Sequence, residues 1–276
     1  MSSAFYPPTR PSSVGEVLDL AFGIFKATLV KGLPYGICAV VAQWLPNIYD
    51  LGRGATAHPV LDGSQPVRLV IYGVGVLLAL MAWSALLLRQ RALIEHRPTS
   101  MALELGEALR RLPSFFVATV LFLVIVAGGF ALLTLVPPHY RLGLRLVLIV
   151  LGMYFAVLLS CTWPAVLLAG QGPLGALRQS ARLVLGNWRR VATVFAVGAV
   201  VVIVVSMLVG ALITAIVSSL GAGITVSSSV FMEVATALGA VMAPFAGALL
   251  LATFGDLRVR KEGTDLQQRV AGLAVE

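Results

Sequence analysis

Charge is what this chain has least of. Asp, Glu, Lys and Arg make up 12% of its 276 residues, about half the share found in an ordinary soluble domain. A soluble core of that size needs a charged shell, and the chain has too few charged residues to form one. Cysteine and histidine are nearly as scarce, with two and three copies. Cys38 and Cys161 stand at no motif spacing, which argues against a disulfide framework or a zinc site and for small packing residues. His58, His96 and His139 fall in three separate polar segments, none beside a carboxylate cluster at ligand spacing. The sequence has no G-x-x-x-x-G-K-[ST] phosphate loop and no G-x-S-x-G nucleophile elbow. The expectation is a protein that is not an enzyme, with no catalytic residue, no metal ligand set and no cofactor.

What the chain has instead is long apolar runs. Six of them centre on Leu33–Leu51, Leu69–Leu88, Ser114–Val136, Leu144–Leu168, Val191–Val217 and Val230–Phe254. Each supplies the roughly 20 apolar residues a helix needs to cross about 30 Å of hydrocarbon. Lipid offers backbone N–H and C=O groups no partner, so such runs must be helical. The predicted fold is an all-α integral membrane protein of six transmembrane helices. It forms a single polytopic domain over 1–276, with a tail at 255–276.

The formal charge of +8 admits a nucleic-acid reading, because basic patches neutralise phosphates. The distribution of the charges points to a membrane surface instead, and no nucleic-acid partner is expected. Sixteen of the 20 Lys and Arg residues fall in the N-terminal arm, in alternate loops and in the C-terminal tail. The remaining loops hold only Arg53, Arg68, Arg141 and Arg145. Basic residues resist translocation, so the rich side is expected to be cytoplasmic and both termini to face it.

The segments before spans one, three and five share a pattern, which divides the chain into units of about 12–94, 99–169 and 172–254. Each unit reads as an amphipathic helix followed by a helical hairpin. In the first, Ser13 and Glu16 form a capping box. In the second, Glu107 and Arg111 form an i,i+4 pair, and Pro113 is expected to end the helix. In the third, Leu174, Leu177, Ala181, Val184, Leu185 and Trp188 form the apolar stripe, from which Leu183 departs. Such helices can lie in the headgroup plane, or extend the next span.

Two sets of residues stand out as candidate sites. Arg178, Arg182, Arg189 and Arg190 have no acid in the same loop, and Trp188 lies on the neighbouring apolar stripe. They suit contact with anionic membrane lipid, or with a membrane or cytoplasmic protein partner. Glu233 lies about one turn inside span six, and Gln43 is the strongly polar side chain at comparable depth in span one. With Pro34, Pro164 and Pro244, they support the alternative of a small transporter or channel.

Three stretches also carry a family resemblance: Val14–Asp19, Gly175–Trp188 and the Asp256–Leu266 segment, which reads DLRVRKEGTDL. In this order they resemble the multi-span membrane domain that is fused to some bacterial glycerophosphodiester phosphodiesterases and also occurs alone. The resemblance implies a bacterial cytoplasmic (inner) membrane. In the fused enzymes, catalysis belongs to a separate soluble barrel with His and metal-binding carboxylates. These 276 residues include no such barrel, so none of those residues is expected to carry over. The charges after span six, Asp256, Arg258, Arg260, Lys261 and Glu262, either pair with Glu16, Asp19, Arg178 or Arg182 and so join the units, or stand solvated as a positive-inside anchor. Thr264 and Gln267 suit the cap of a short terminal helix. The overall expectation is a non-enzymatic membrane protein serving anchoring, assembly or lipid handling.

Overall fold

The computed structural model describes residues 8, 10–52, 66–98, 100–131, 141–219 and 228–263. His58, His139, Thr264 and Gln267 lie outside them, as do the side chains of 125–131 and 228–237. The described chain forms eight helices and no strand: α1 (Val14–Gly52), α2 (Pro66–Ile94), α3 (Met101–Ala131), α4 (Arg141–Leu158), α5 (Thr162–Ala169), α6 (Pro173–Val184), α7 (Trp188–Ser219) and α8 (Ser228–Glu262). Five stretches are long and apolar enough to cross a membrane: Val14–Asp50, Pro66–Ile94, Leu142–Ala169, Trp188–Ile213 and Leu238–Lys261.

The capping box starts α1 as its sequence requires. The Glu16 amide donates to Ser13 Oγ at 3.2 Å, and the Ser13 amide donates back to the Glu16 carboxylate. From there α1 runs unbroken for 39 residues, about 58 Å at 1.5 Å per residue. The first amphipathic segment is therefore an extension of its span. The second is too. Helix α3 continues through Pro113, contrary to the expected break. The carbonyl freed by Pro113 belongs to Leu109, and both residues are exposed, so it can be satisfied from outside. Only the third segment, α6, is a separate helix. Gly186 follows it at φ +86°, a left-handed conformation that turns the chain into α7.

Helix α8 is the centre of the bundle, packed against α1 and α2, while α7 lies more loosely alongside. Of the apolar window of α8, 67% is buried, against 11% for α7. Two prolines set the close contacts. Pro46 and Pro244 lack an N–H, which leaves the carbonyls of Ala42 and Ala240 without a helical donor. The Ala42 carbonyl lies against Gly75 of α2, and the Ala240 carbonyl lies against Gly36 of α1. Glycine at both places lets one backbone approach the other. Above them, the Gln90 amide of α2 donates to the Pro244 carbonyl at 2.7 Å and to Thr28 Oγ1 at 3.2 Å. This ties α1, α2 and α8 together in the core.

The expected fourth span is broken. Leu159, Ser160 and Cys161 form a turn between α4 and α5, just ahead of Pro164. The break exposes backbone groups that Ser180 of α6 satisfies from the side. Its hydroxyl donates to the Leu158 carbonyl at 2.9 Å and accepts from the Cys161 amide at 3.1 Å. Burying such groups without partners would cost about 1–3 kcal/mol each.

Candidate functional site

The N-terminus of α1 and the C-terminus of α8 meet at one end of the bundle, where most of the described basic residues lie. Asp256, 2% exposed, is the pivot. It accepts from the Ser12 amide at 2.8 Å, from Arg190 Nε at 3.2 Å and from Arg260 Nε at 3.1 Å. Arg190 and Arg260 also donate to the Ser12 carbonyl. A buried carboxylate is tolerable with two guanidinium groups and an amide around it. The expected partners are not the ones found: Asp256 pairs with Arg190 and Ser12 rather than with Arg178 or Arg182, and so ties the starts of α7 and α1 to the end of α8. Arg190, grouped with the lipid-facing arginines on sequence, is occupied inside the protein.

Two further networks fix this end. Glu104 of α3, 6% exposed, accepts from Arg89 at 2.9 Å and from the Tyr35 hydroxyl, linking α1, α2 and α3. The last carbonyls of α5 take guanidinium donors from two helices. Arg91 reaches Leu168 at 3.1 Å, and Arg111 reaches Val166 at 3.1 Å and Leu167 at 2.6 Å. Cations at a helix C-terminus are favoured by its dipole. The expected Glu107–Arg111 pair forms. Partial burial pushes the Glu107 carboxyl up, but Arg111 and Arg110 outweigh this and hold it below the usual carboxylate range.

Against this engaged framework, the outer face of α6 is left over. The face buried on the bundle carries Ala176, Ser180, Leu183 and Val184. Leu183, the apparent exception to the stripe, is thus a core residue at 1% exposure. Leu174, Arg178, Arg182 and Leu185 lie on the opposite face and are exposed. Arg189, also exposed, opens α7 beside them. Among the described residues, Arg178, Arg182 and Arg189 form no ion pair, and no hydrogen bond from their side chains is found. Lys261 lies close by, over the α6–α7 turn at Gly186. Trp188 is half-buried. It stacks on Tyr154 at 5.3 Å and donates to the Tyr154 carbonyl at 3.2 Å, which anchors α7 to α4.

The second candidate set is not brought to one described place. Gln43 is exposed and borders a lateral cavity of about 780 Å³ between α1, α2 and α8. Glu233 is in α8, but its side chain lies outside the described residues. No group of three or more His, Cys, Asp or Glu suited to a metal occurs among the described residues. His96, exposed, closes α2 with a left-handed turn at φ 53°. Sequence reading named Asp256 as a pairing group but not its partners Ser12 and Arg190, and it missed Ser180 as the plug and Pro46 as a contact former. No family model, curated protein or solved structure matches the chain.

Proposed function

We propose that this is a non-enzymatic, six-span protein of a bacterial cytoplasmic membrane. In this reading it holds α6 against the anionic inner leaflet and serves anchoring or lipid handling. The observation that carries this is the outer face of α6, where two leucines and two arginines without carboxylate partners sit side by side. Arginine stems can lie along apolar surface while their heads reach phosphate. Arg189 and Lys261 add charge at the same level. Each basic residue near an anionic surface contributes about 1 kcal/mol.

The span count is supported by parity. Ser12 and Asp256 are hydrogen-bonded, so α1 begins and α8 ends on the same side, which requires an even number of crossings. The five apolar stretches become six when α3 is counted. The excess of Lys and Arg on that side favours the cytoplasm. The resemblance to the membrane domain of glycerophosphodiester phosphodiesterases agrees with a lipid-facing role and supplies no activity.

The test is lipid selectivity of the whole protein in vesicles, read from spin-labelled phosphatidylglycerol and phosphatidylcholine. The protein should immobilise the anionic lipid preferentially at low salt. The preference should weaken as salt screens it and fall in Arg178→Glu plus Arg182→Glu. Equal association of the two lipids with the unaltered protein would refute the reading.

A further inference from the structure

The light packing of α7 leaves a cavity of about 540 Å³ between α7, α8 and the α3–α4 side of the bundle. Its lining is almost wholly apolar. Trp163 and Phe195 line it, and Ala199 and Ile203 of α7 are lining residues that remain exposed. Gly198 on the same helix is part of its wall and lies so close to Leu249 of α8 that a side chain there would run into it. The cavity lies within helices long and apolar enough to cross a membrane, so the medium at its open side is lipid hydrocarbon.

One helical stripe connects it to the basic end. Arg189, Ala192, Ala196, Ala199 and Ile203 recur on α7 at alternating steps of three and four, which places them on one face. The three alanines between Arg189 and Ile203 make that face a shallow furrow. Ala199 lies ten residues from Arg189, about 15 Å along the axis. That is about half the hydrocarbon thickness, the depth an acyl chain reaches from its own surface. A site with no charged lining holds a chain and excludes a headgroup.

We infer that this cavity binds one acyl chain of an anionic phospholipid whose headgroup phosphate is held by Arg189. The inference rests on the orientation proposed above and adds a defined lipid site to it. Burial of methylene groups in the furrow and ion pairing at its mouth act on the same molecule, which gives selectivity that neither gives alone.

The experiment uses the full chain in mixed vesicles containing a trace of phosphatidylglycerol with a mid-chain diazirine. A parallel sample carries the phosphatidylcholine analogue. After irradiation, labelled peptides are mapped by mass spectrometry. Label from phosphatidylglycerol should concentrate on 195–203 and around Leu249, severalfold above the exposed Val67–Val74 face of α2. It should exceed label from phosphatidylcholine there. Ala199→Trp and Ala156→Trp, which fill the cavity from opposite walls, should each remove the excess. Val200→Trp, outside the cavity lining, should leave it. Arg189→Gln should remove the headgroup preference.

Uniform labelling of the cavity and the exposed faces would overturn the inference. So would labelling that persists in both tryptophan variants, or equal labelling by the two headgroups. Arg178→Glu plus Arg182→Glu separates the two proposals. If the α6 reading fails while the cavity site stands, the cavity excess survives without any general preference for anionic lipid. If the cavity site fails alone, the general preference remains and the excess is absent.

Discussion

At the scale of single residues, two prolines and two glycines do most to set the packing. Pro46 and Pro244 each free a carbonyl four residues earlier, and each freed carbonyl faces a glycine on another helix. A Cβ on Gly36 or Gly75 would overlap backbone oxygen, which cannot swing aside as a side chain does. Gly36→Ala and Gly75→Ala should each destabilise the protein by about 1–3 kcal/mol, seen as a lower thermal midpoint in mild detergent. Gly239→Ala is the internal comparison. Nothing lies within 4 Å of its added Cβ, so its midpoint should hold or rise slightly. Pro244 stood out in the sequence and Pro46 did not. Neither partner was legible, because Pro46 meets Gly75 and Pro244 meets Gly36 through long-range register that local spacing does not encode.

At the scale of elements, α6 shows what helical periodicity can and cannot say. Its helical character was legible, and Arg178 and Arg182 were rightly placed on an accessible side. The apolar stripe is the buried face only in part. Val184 is buried and Leu177 and Ala181 are half-buried, but Leu174 and Leu185 are exposed, and Ser180 and Leu183, off the stripe, are buried. In water, apolar residues mark the face turned to the protein. At a headgroup boundary they can turn to lipid, so the pattern loses its direction. What turns α6 inward is the break between α4 and α5, whose open backbone groups Ser180 closes. Ser180→Ala should leave the Cys161 amide and the Leu158 carbonyl unpaired and cost about 1–3 kcal/mol. Thermal unfolding in detergent checks this, and an unchanged midpoint would mean that the break is satisfied some other way. Because the inner face of α6 is occupied in the protein, an isolated peptide would offer lipid a different face. The lipid measurements therefore belong to the whole chain.

At the scale of the whole molecule, the account reduces to one arrangement. The bundle gathers the ends of its helices into a single basic surface, pivoted on Asp256, and leaves Arg178, Arg182 and Arg189 without an ion-pair partner among the described residues on that surface. Five of the six apolar runs expected from length and hydropathy coincide with described helices long and apolar enough to cross a membrane. The side that each run shares with the others could be expected from the Lys and Arg distribution. The networks that hold the basic end together could not, since each joins residues far apart in sequence. The measurement that tests the arrangement most directly is reporter fusion at seven points along the chain. Fusions at the N-terminus, near His96, near Gly172 and at the C-terminus should all report the cytoplasm. Fusions near His58, His139 and Gly223 should report the opposite side. A C-terminus on the opposite side from the N-terminus would contradict the even span count, the shared basic surface and the lipid-facing role of α6 together.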